Sequence, residues 1–127
     1  MAIVSISLDK ETLSELTRLE RELGFSGRSD AVRAAVNALA NENESREKLT
    51  GKVRSVLLIV HSEQAEGATI PLKHTFEDIT STQIHSNLSS GKCLEIFVLD
   101  GDASRIKEMV KSAQANRKIE DAKLVVP

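Results

Sequence analysis

The first residues of the chain follow the hydrophobic pattern of a short strand. Residues 2–8 alternate between two faces of an extended segment, and the fully apolar face carries Val4, Ile6 and Leu8. The opposite face carries Ile3, Ser5 and Ser7. Because one isolated strand is not stable in water, this pattern also predicts a partner strand.

Two helix periods follow this strand. Leucines recur at spacings of three and four from Leu13 to Leu23, between Asp9, a favourable N-cap residue, and Gly24, a residue type that favours helix ends. After a turn at residues 26–30, apolar positions recur with the same period from residue 32 to residue 40. A polar stretch at residues 41–48 predicts a fraying helix end and a linker. The pattern predicts a βαα module over residues 1–48.

The rest of the chain has the pattern of a βαββαβ unit. A run of β-branched and apolar residues at 53–60 predicts a strand covered on both faces, and Pro71 predicts the start of a short helix that runs to about residue 79. Strands follow at residues 80–87 and 93–99 around a hairpin loop, then a helix to about residue 114 and a strand at 123–126. This order is the ferredoxin-like plan. We therefore predict an α+β protein whose second, ACT-like domain spans residues 49–127.

Composition narrows the possible partners. The net charge is −2, and residues 1–50 hold seven basic and nine acidic side chains, so the overall charge does not indicate a polyanion as the partner. Three Phe and no Trp or Tyr argue against stacking on single-stranded nucleic acid. The chain has no apolar run of roughly 18 residues and no signal-peptide pattern, so we expect a cytoplasmic protein with no membrane partner. Two such small domains bury too little surface alone, which predicts a homo-oligomer.

The N-terminal module has the features of a DNA-binding surface. Two copies of the strand, paired antiparallel, form a ribbon that fits a DNA major groove with Ile3, Ser5 and Ser7 facing outward. The start of the second helix, at Arg28 and Ser29, offers backbone N–H groups and a positive helix end to a phosphate. We predict that these five residues contact double-stranded DNA. In the alternative interpretation, the serines only solvate one face of a dimerising ribbon.

The same residues resemble the ribbon-helix-helix repressors. The resemblance lies in the segment 4–9, the leucine-rich first helix, Gly24 with Phe25, and the segment 28–33, and it covers roughly the first 45 positions. It implies that positions 3, 5 and 7 contact bases. Ile3 departs from the polar or basic residue that is usual in this family.

The second domain contains all three histidines and the only cysteine of the chain. If the hairpin loop is centred near Ser89, His85 and Cys93 lie directly opposite each other, with Cβ atoms about 5 Å apart. An imidazole and a thiolate suit nickel, copper, cobalt or zinc better than magnesium or calcium. The alternative is a buried, inert thiol among ordinary histidines.

Nearly the whole chain resembles the nickel-responsive regulators of the NikR family. The segment 85–102 carries the family's pattern of a His, a second His two places on, a Cys six places later, an apolar strand and Gly-Asp, except that Asn87 replaces the second His. The resemblance implies that His85 and Cys93 bind metal together with His74 from a neighbouring subunit. Nickel is the implied ion, with copper next and cobalt or zinc as alternatives.

The replacement at Asn87 leaves several ways to complete the metal site. His61, on the neighbouring strand, could supply a fourth ligand or a hydrogen bond to one. Water could complete the sphere, or the ion could be one that accepts three donors, such as Cu(I). Glu95 shares a strand face with Cys93 and could orient a ligand or be an exposed structural carboxylate.

Together these features predict a metal-responsive repressor that binds an operator as a dimer of dimers. Metal in the regulatory core orders the segment after Pro71 and fixes the spacing of two ribbons, which raises DNA affinity. The chain has no acid–base pair, nucleophile constellation or phosphate-binding loop, which argues against an enzyme. The alternatives are a ribbon-helix-helix regulator controlled by a small metabolite and an antitoxin-like module whose C-terminal half binds a partner protein.

Overall fold

The computed structural model describes residues 1–127. Their contacts divide the chain into two compact units, residues 1–45 and residues 46–127. None of the helices is both long enough and apolar enough to cross a membrane.

The first unit contains helix α1 (Lys10–Glu22) and most of helix α2 (Arg28–Glu47). Asp9 caps α1, because its carboxylate accepts a hydrogen bond from the backbone N–H of Thr12 at 2.7 Å. Gly24 follows α1 with φ at 74°, the left-handed conformation that ends many helices. Helix α2 continues to Glu47, so the polar stretch predicted to fray is helical.

The N-terminal unit has almost no core of its own. Ala31 is the only buried residue in this unit, and the apolar side chains of Val4, Ile6, Val36 and Leu39 are at least 59% exposed. Residues 1–9 form no strand in the single chain, since a strand needs a hydrogen-bonded partner. The predicted ribbon therefore stays a prediction, and the exposed apolar surface shows why the unit needs a second copy.

The second unit is a four-stranded antiparallel sheet with helices on one face. Its strands are β1 (Lys52–Ser62), β2 (Thr80–Leu88), β3 (Lys92–Asp102) and β4 (Ile119–Val125). Its α-helices are α3 (Ile70–Thr75) and α4 (Ala103–Ala115). The strand order is β2-β3-β1-β4, and all three neighbouring pairs are antiparallel. This is the predicted ferredoxin-like βαββαβ fold.

The core lies between one face of the sheet and helix α4. Alternate residues of β1 and β3, such as Leu57 and Phe97, are fully buried against Ile106 and Met109 of α4. The other face of β1 is only half-buried in the single chain, so the prediction of a strand covered on both faces was wrong for the chain taken alone. That half-buried face is apolar and suits contact with another subunit.

The connection from β1 to β2 differs most from the prediction. A 3₁₀ helix (Glu63–Thr69), which the sequence did not predict, precedes α3, and Pro71 lies in the first turn of α3 as expected. The predicted helix to residue 79 ends at Thr75, and a short 3₁₀ turn (Glu77–Ile79) follows it.

Gly101 is required by the packing of this connection against β3. A Cβ atom at Gly101 would lie 2.5 Å from Cγ2 of Ile79, which is buried. We expect Gly101→Ala to destabilise the protein by about 1–3 kcal/mol through overpacking. Urea unfolding followed by circular dichroism measures this loss. Gly67→Ala is the matched control, because a Cβ there meets no atom within 4 Å. Equal stability of the two variants would contradict this packing.

Candidate metal centre

The candidate metal-binding residues lie on the helix-covered face of the sheet, around strand β3. Cys93 pairs with Asn87 of β2 on one side and with His61 of β1 on the other. His85 pairs with Glu95 of β3. Residues opposite each other on antiparallel strands share a face, so all five side chains lie on one face of the sheet.

The predicted direct pairing of His85 with Cys93 was wrong. The hairpin loop between β2 and β3 comprises residues 89–91, with Ser90 and Gly91 at φ of 73° and 72°, so it is centred on Ser90 rather than Ser89. This shift changes each cross-strand partner by two positions, which preserves the face. His85 and Cys93 are therefore diagonal neighbours on the same face.

Cys93 is a buried thiol surrounded by negatively charged side chains. Only 2% of it is exposed, and its Sγ lies 3.5 Å from Oδ1 of Asn87, to which the thiol donates. Burial raises the pKa of the Cys93 thiol, and the negative charges of Glu63, Glu66 and Glu95 raise it further. Metal binding at Cys93 must therefore release a proton.

His61 and Glu95 form a buried pair beside Cys93. Nε2 of His61 lies 2.6 Å from Oε2 of Glu95, and Nδ1 lies 2.7 Å from the carbonyl oxygen of Ser62. Because a carbonyl oxygen only accepts hydrogen bonds, Nδ1 must carry a proton and donate a hydrogen bond to the carbonyl oxygen of Ser62. Nε2 makes its hydrogen bond with the Glu95 carboxyl group. Both ring nitrogens are occupied, so His61 could bind metal only by giving up its contact with Glu95.

Glu95 is the centre of a wider network. Its Oε1 accepts a hydrogen bond from Nε2 of Gln83 at 2.7 Å, and Nζ of Lys73 lies 3.8 Å from the same oxygen. Lys73 precedes His74 on α3, so this network connects the helix that carries His74 to β3. Neither Gln83 nor Lys73 was predicted from the sequence, because only the register and the position of α3 bring them to Glu95.

The other two histidines lie nearer the surface. The His85 ring centroid is 6.2 Å from that of His61, and its Nδ1 lies 3.6 Å from Oε1 of Glu66. His74 is exposed on α3. No three His, Cys, Asp or Glu side chains of the single chain converge as metal ligands. The chain thus presents partial donor sets at separate places.

Arg105 of α4 fixes the end of the helix that carries His74. Its guanidinium donates to the Thr75 carbonyl oxygen at 2.6 Å and to the Asp78 carboxylate at 2.8 Å. It also lies 4.5 Å from the Phe76 ring centroid. The hydrogen bond from Arg105 lowers the pKa of Asp78. Contacts within the chain therefore hold the segment after Pro71, which was predicted to be ordered by metal.

The predicted DNA-contacting residues are all exposed. Ile3, Ser5 and Ser7 lie on the N-terminal segment, and Arg28 and Ser29 are the first two residues of α2. The free backbone N–H groups of a helix start are available at these two positions. A shallow trough between the N-terminal segment and the two helices is lined partly by Val4, Ile6 and Leu8.

Comparisons with known proteins cover both units. The family described as "Ribbon-helix-helix protein, copG family" matches residues 2–42. The family described as "NikR C terminal nickel binding domain" matches residues 55–126.

Several curated proteins called "Putative nickel-responsive regulator" match along almost their whole length. The one from Halobacterium salinarum is 31% identical over 92% of this chain and 84% of its own length. The one from Pseudomonas putida is 28% identical over 99% of this chain and 93% of its own length. The solved structure of an uncharacterized Thermotoga maritima protein matches the fold with a TM-score of 0.54 at 18% identity, over 60% of this chain and 98% of that one.

A ribbon-helix-helix module followed by a ferredoxin-like metal-binding domain defines a metal-responsive transcriptional regulator rather than an enzyme. The chain belongs to the NikR family of such regulators, whose regulatory domain binds nickel. DNA binding and oligomerisation are properties of the two families that match.

The hydrogen bonds of Glu95 give a prediction that separates two variants. In Glu95→Gln, the new amide can donate to Nε2 of His61 and accept from Gln83, so every buried group keeps a partner. In Glu95→Ala, His61 and Gln83 lose these partners in a buried place. We expect the free energy of unfolding of the alanine variant to be lower than that of the glutamine variant by about 1–3 kcal/mol. Urea unfolding at pH 7 measures the difference, and equal losses would contradict the network.

Proposed function

We propose that this protein is a nickel-responsive repressor in which residues 1–48 bind operator DNA and residues 49–127 bind the metal. The observation that carries the metal site is the placement of His85 and Cys93 on one face of the β2–β3 hairpin. His74 of a neighbouring subunit is the third donor in this proposal. It is exposed on α3, as a residue shared between subunits must be.

The side chains fit a nickel ion at three of the four donor positions of the family. A thiolate from Cys93 and imidazoles from His85 and His74 are donors that suit Ni²⁺. At the fourth position, Asn87 offers only an amide, whose oxygen contacts the Cys93 thiol. When the thiolate forms, the Asn87 amide can turn its N–H groups toward the sulfur, so we assign Asn87 to hydrogen bonding. The bound metal would join two subunits.

The DNA-binding proposal rests on the exposed N-terminal unit. With Ala31 as its only buried residue, this unit needs a second copy to cover Val4, Ile6 and Leu8. Pairing of two N-terminal segments supplies that cover and places Ile3, Ser5 and Ser7 on the outer face of a ribbon. Arg28 and Ser29 then contact the DNA backbone through the start of α2. Two such dimers, joined by regulatory domains, bind two half-sites.

Anaerobic metal titration tests the metal site. We expect the metal-free protein to bind Ni²⁺ with a thiolate charge-transfer band that is absent in Cys93→Ala. In His85→Ala, Ni²⁺ affinity is expected to fall by at least roughly tenfold, since one ligand is lost. Parallel titrations with Cu(I), Co²⁺ and Zn²⁺ rank the ions.

Ser86→Ala is the control, since Ser86 lies between His85 and Asn87 on the opposite face of β2 and should bind as the wild type does. Tightest binding of Cu(I) would make copper the sensed metal, which is the second candidate because Cu(I) accepts three donors. Weak binding of all four ions, unchanged in Cys93→Ala, would contradict a metal sensor and favour a metabolite or a partner protein as the signal.

A further inference from the structure

The metal site as proposed lacks one donor, and the structure offers two candidates to supply it. One is His61, which pairs directly with Cys93. Both of its ring nitrogens are already bonded, to Glu95 and to Ser62, in a place that is fully buried. Breaking the pair would leave Glu95 buried with one partner fewer, which is costly. His61 is therefore better placed to fix Glu95 than to bind metal.

The second candidate is Glu66, on the 3₁₀ helix between β1 and α3. The start of this helix is fixed to the β2–β3 hairpin, because the backbone N–H of Glu63 donates to the carbonyl oxygen of Gly91 at 3.0 Å. Its end is fixed by Thr69, which is 1% exposed. Between these points the side chain of Glu66 is 68% exposed and lies beside His85. The 3₁₀ helix thus places the exposed carboxylate of Glu66 next to His85, at the surface of the proposed metal site.

The spacing of Glu66 and His85 fits two ligands of one ion. Oε1 of Glu66 lies 3.6 Å from Nδ1 of His85, which is too long for a hydrogen bond. Two donors that each lie about 2.1 Å from one ion are roughly 3.0 Å apart at a 90° angle and roughly 3.4 Å apart at a tetrahedral angle, so a small movement of Glu66 would suffice. These side chains do not converge with Cys93 on one point in the single chain. Glu66 and His85 lie nearer the surface than Cys93, so they have room to move toward a bound ion.

We propose that the carboxylate of Glu66 is the fourth metal ligand of this protein, in the place that Asn87 leaves empty. This inference rests on the proposed metal site. The donor set becomes one thiolate, two imidazoles and one carboxylate. A hard oxygen donor suits a divalent ion such as Ni²⁺, Co²⁺ or Zn²⁺ and gives little to Cu(I), so Glu66 also favours nickel over Cu(I).

Four variants of the full-length protein test this assignment. Glu66→Gln removes the donor, and Glu63→Gln is the matched control, since it removes the same charge from the same exposed helix. Asn87→His restores the imidazole of the family, and the double variant Asn87→His/Glu66→Gln asks whether the carboxylate is then needed. Competition with a chelator measures Ni²⁺ and Cu(I) affinity, and nickel X-ray absorption and magnetic susceptibility report the ligands.

We expect Glu66→Gln to weaken Ni²⁺ binding by roughly 10- to 100-fold and to change the nickel spectra, with Cu(I) affinity unchanged. Glu63→Gln should retain wild-type affinity and spectra. In the Asn87→His background, Glu66→Gln should have little effect.

Wild-type nickel affinity and spectra in Glu66→Gln, with the thiolate band intact, would overturn the role of Glu66 and leave the metal sensor standing. Equal weakening by Glu63→Gln and Glu66→Gln would assign the effect to charge and overturn ligation. Absence of a thiolate band in the wild type would overturn both the ligand and the proposed function.

Discussion

The pairing of strand β3 on both of its edges is the constraint on which the candidate site depends. Because β2 and β1 flank it in fixed register, Cys93 lies between Asn87 and His61, and Glu95 lies between His85 and the β1 residue Ile59. A shift of one residue in either pairing would turn half of these side chains to the other face. The three-residue hairpin loop and the long β1–β3 pairing together exclude that shift.

The two units depend on other subunits in different ways. The metal-binding unit has a complete core between its sheet and α4, but its proposed donors are divided between β2, β3 and the exposed His74 of α3. The N-terminal unit has one buried residue, Ala31, and cannot exclude water from its apolar face alone. In the proposed assembly, oligomerisation covers the apolar face of one unit and completes the donor set of the other. Assembly would then connect metal binding to DNA binding.

Periodicity and residue chemistry were sufficient to predict most of the secondary-structure elements and their order. The helices of the N-terminal unit, the βαββαβ order and the shared face of His85 and Cys93 all follow from spacing, and the structure agrees. The direct pairing of His85 with Cys93 was wrong because loop conformation at Ser90 sets the register, and no periodicity reports it. The approach of Glu66 to His85 and of Gln83 to Glu95 could not be predicted, since a 3₁₀ helix and a diagonal contact produce them.

The most direct test of metal-controlled DNA binding compares the DNA affinity of the metal-free protein with that of the nickel-loaded protein at one salt concentration. The probe is a duplex that the nickel-loaded protein has selected from genomic fragments, and fluorescence anisotropy gives the Kd. We expect nickel to tighten DNA binding by roughly 5- to 150-fold and Cys93→Ala to lose this gain. The DNA should tighten nickel binding by the same factor. The same DNA affinity with and without nickel, in a protein that binds the metal tightly, would contradict metal control of DNA binding.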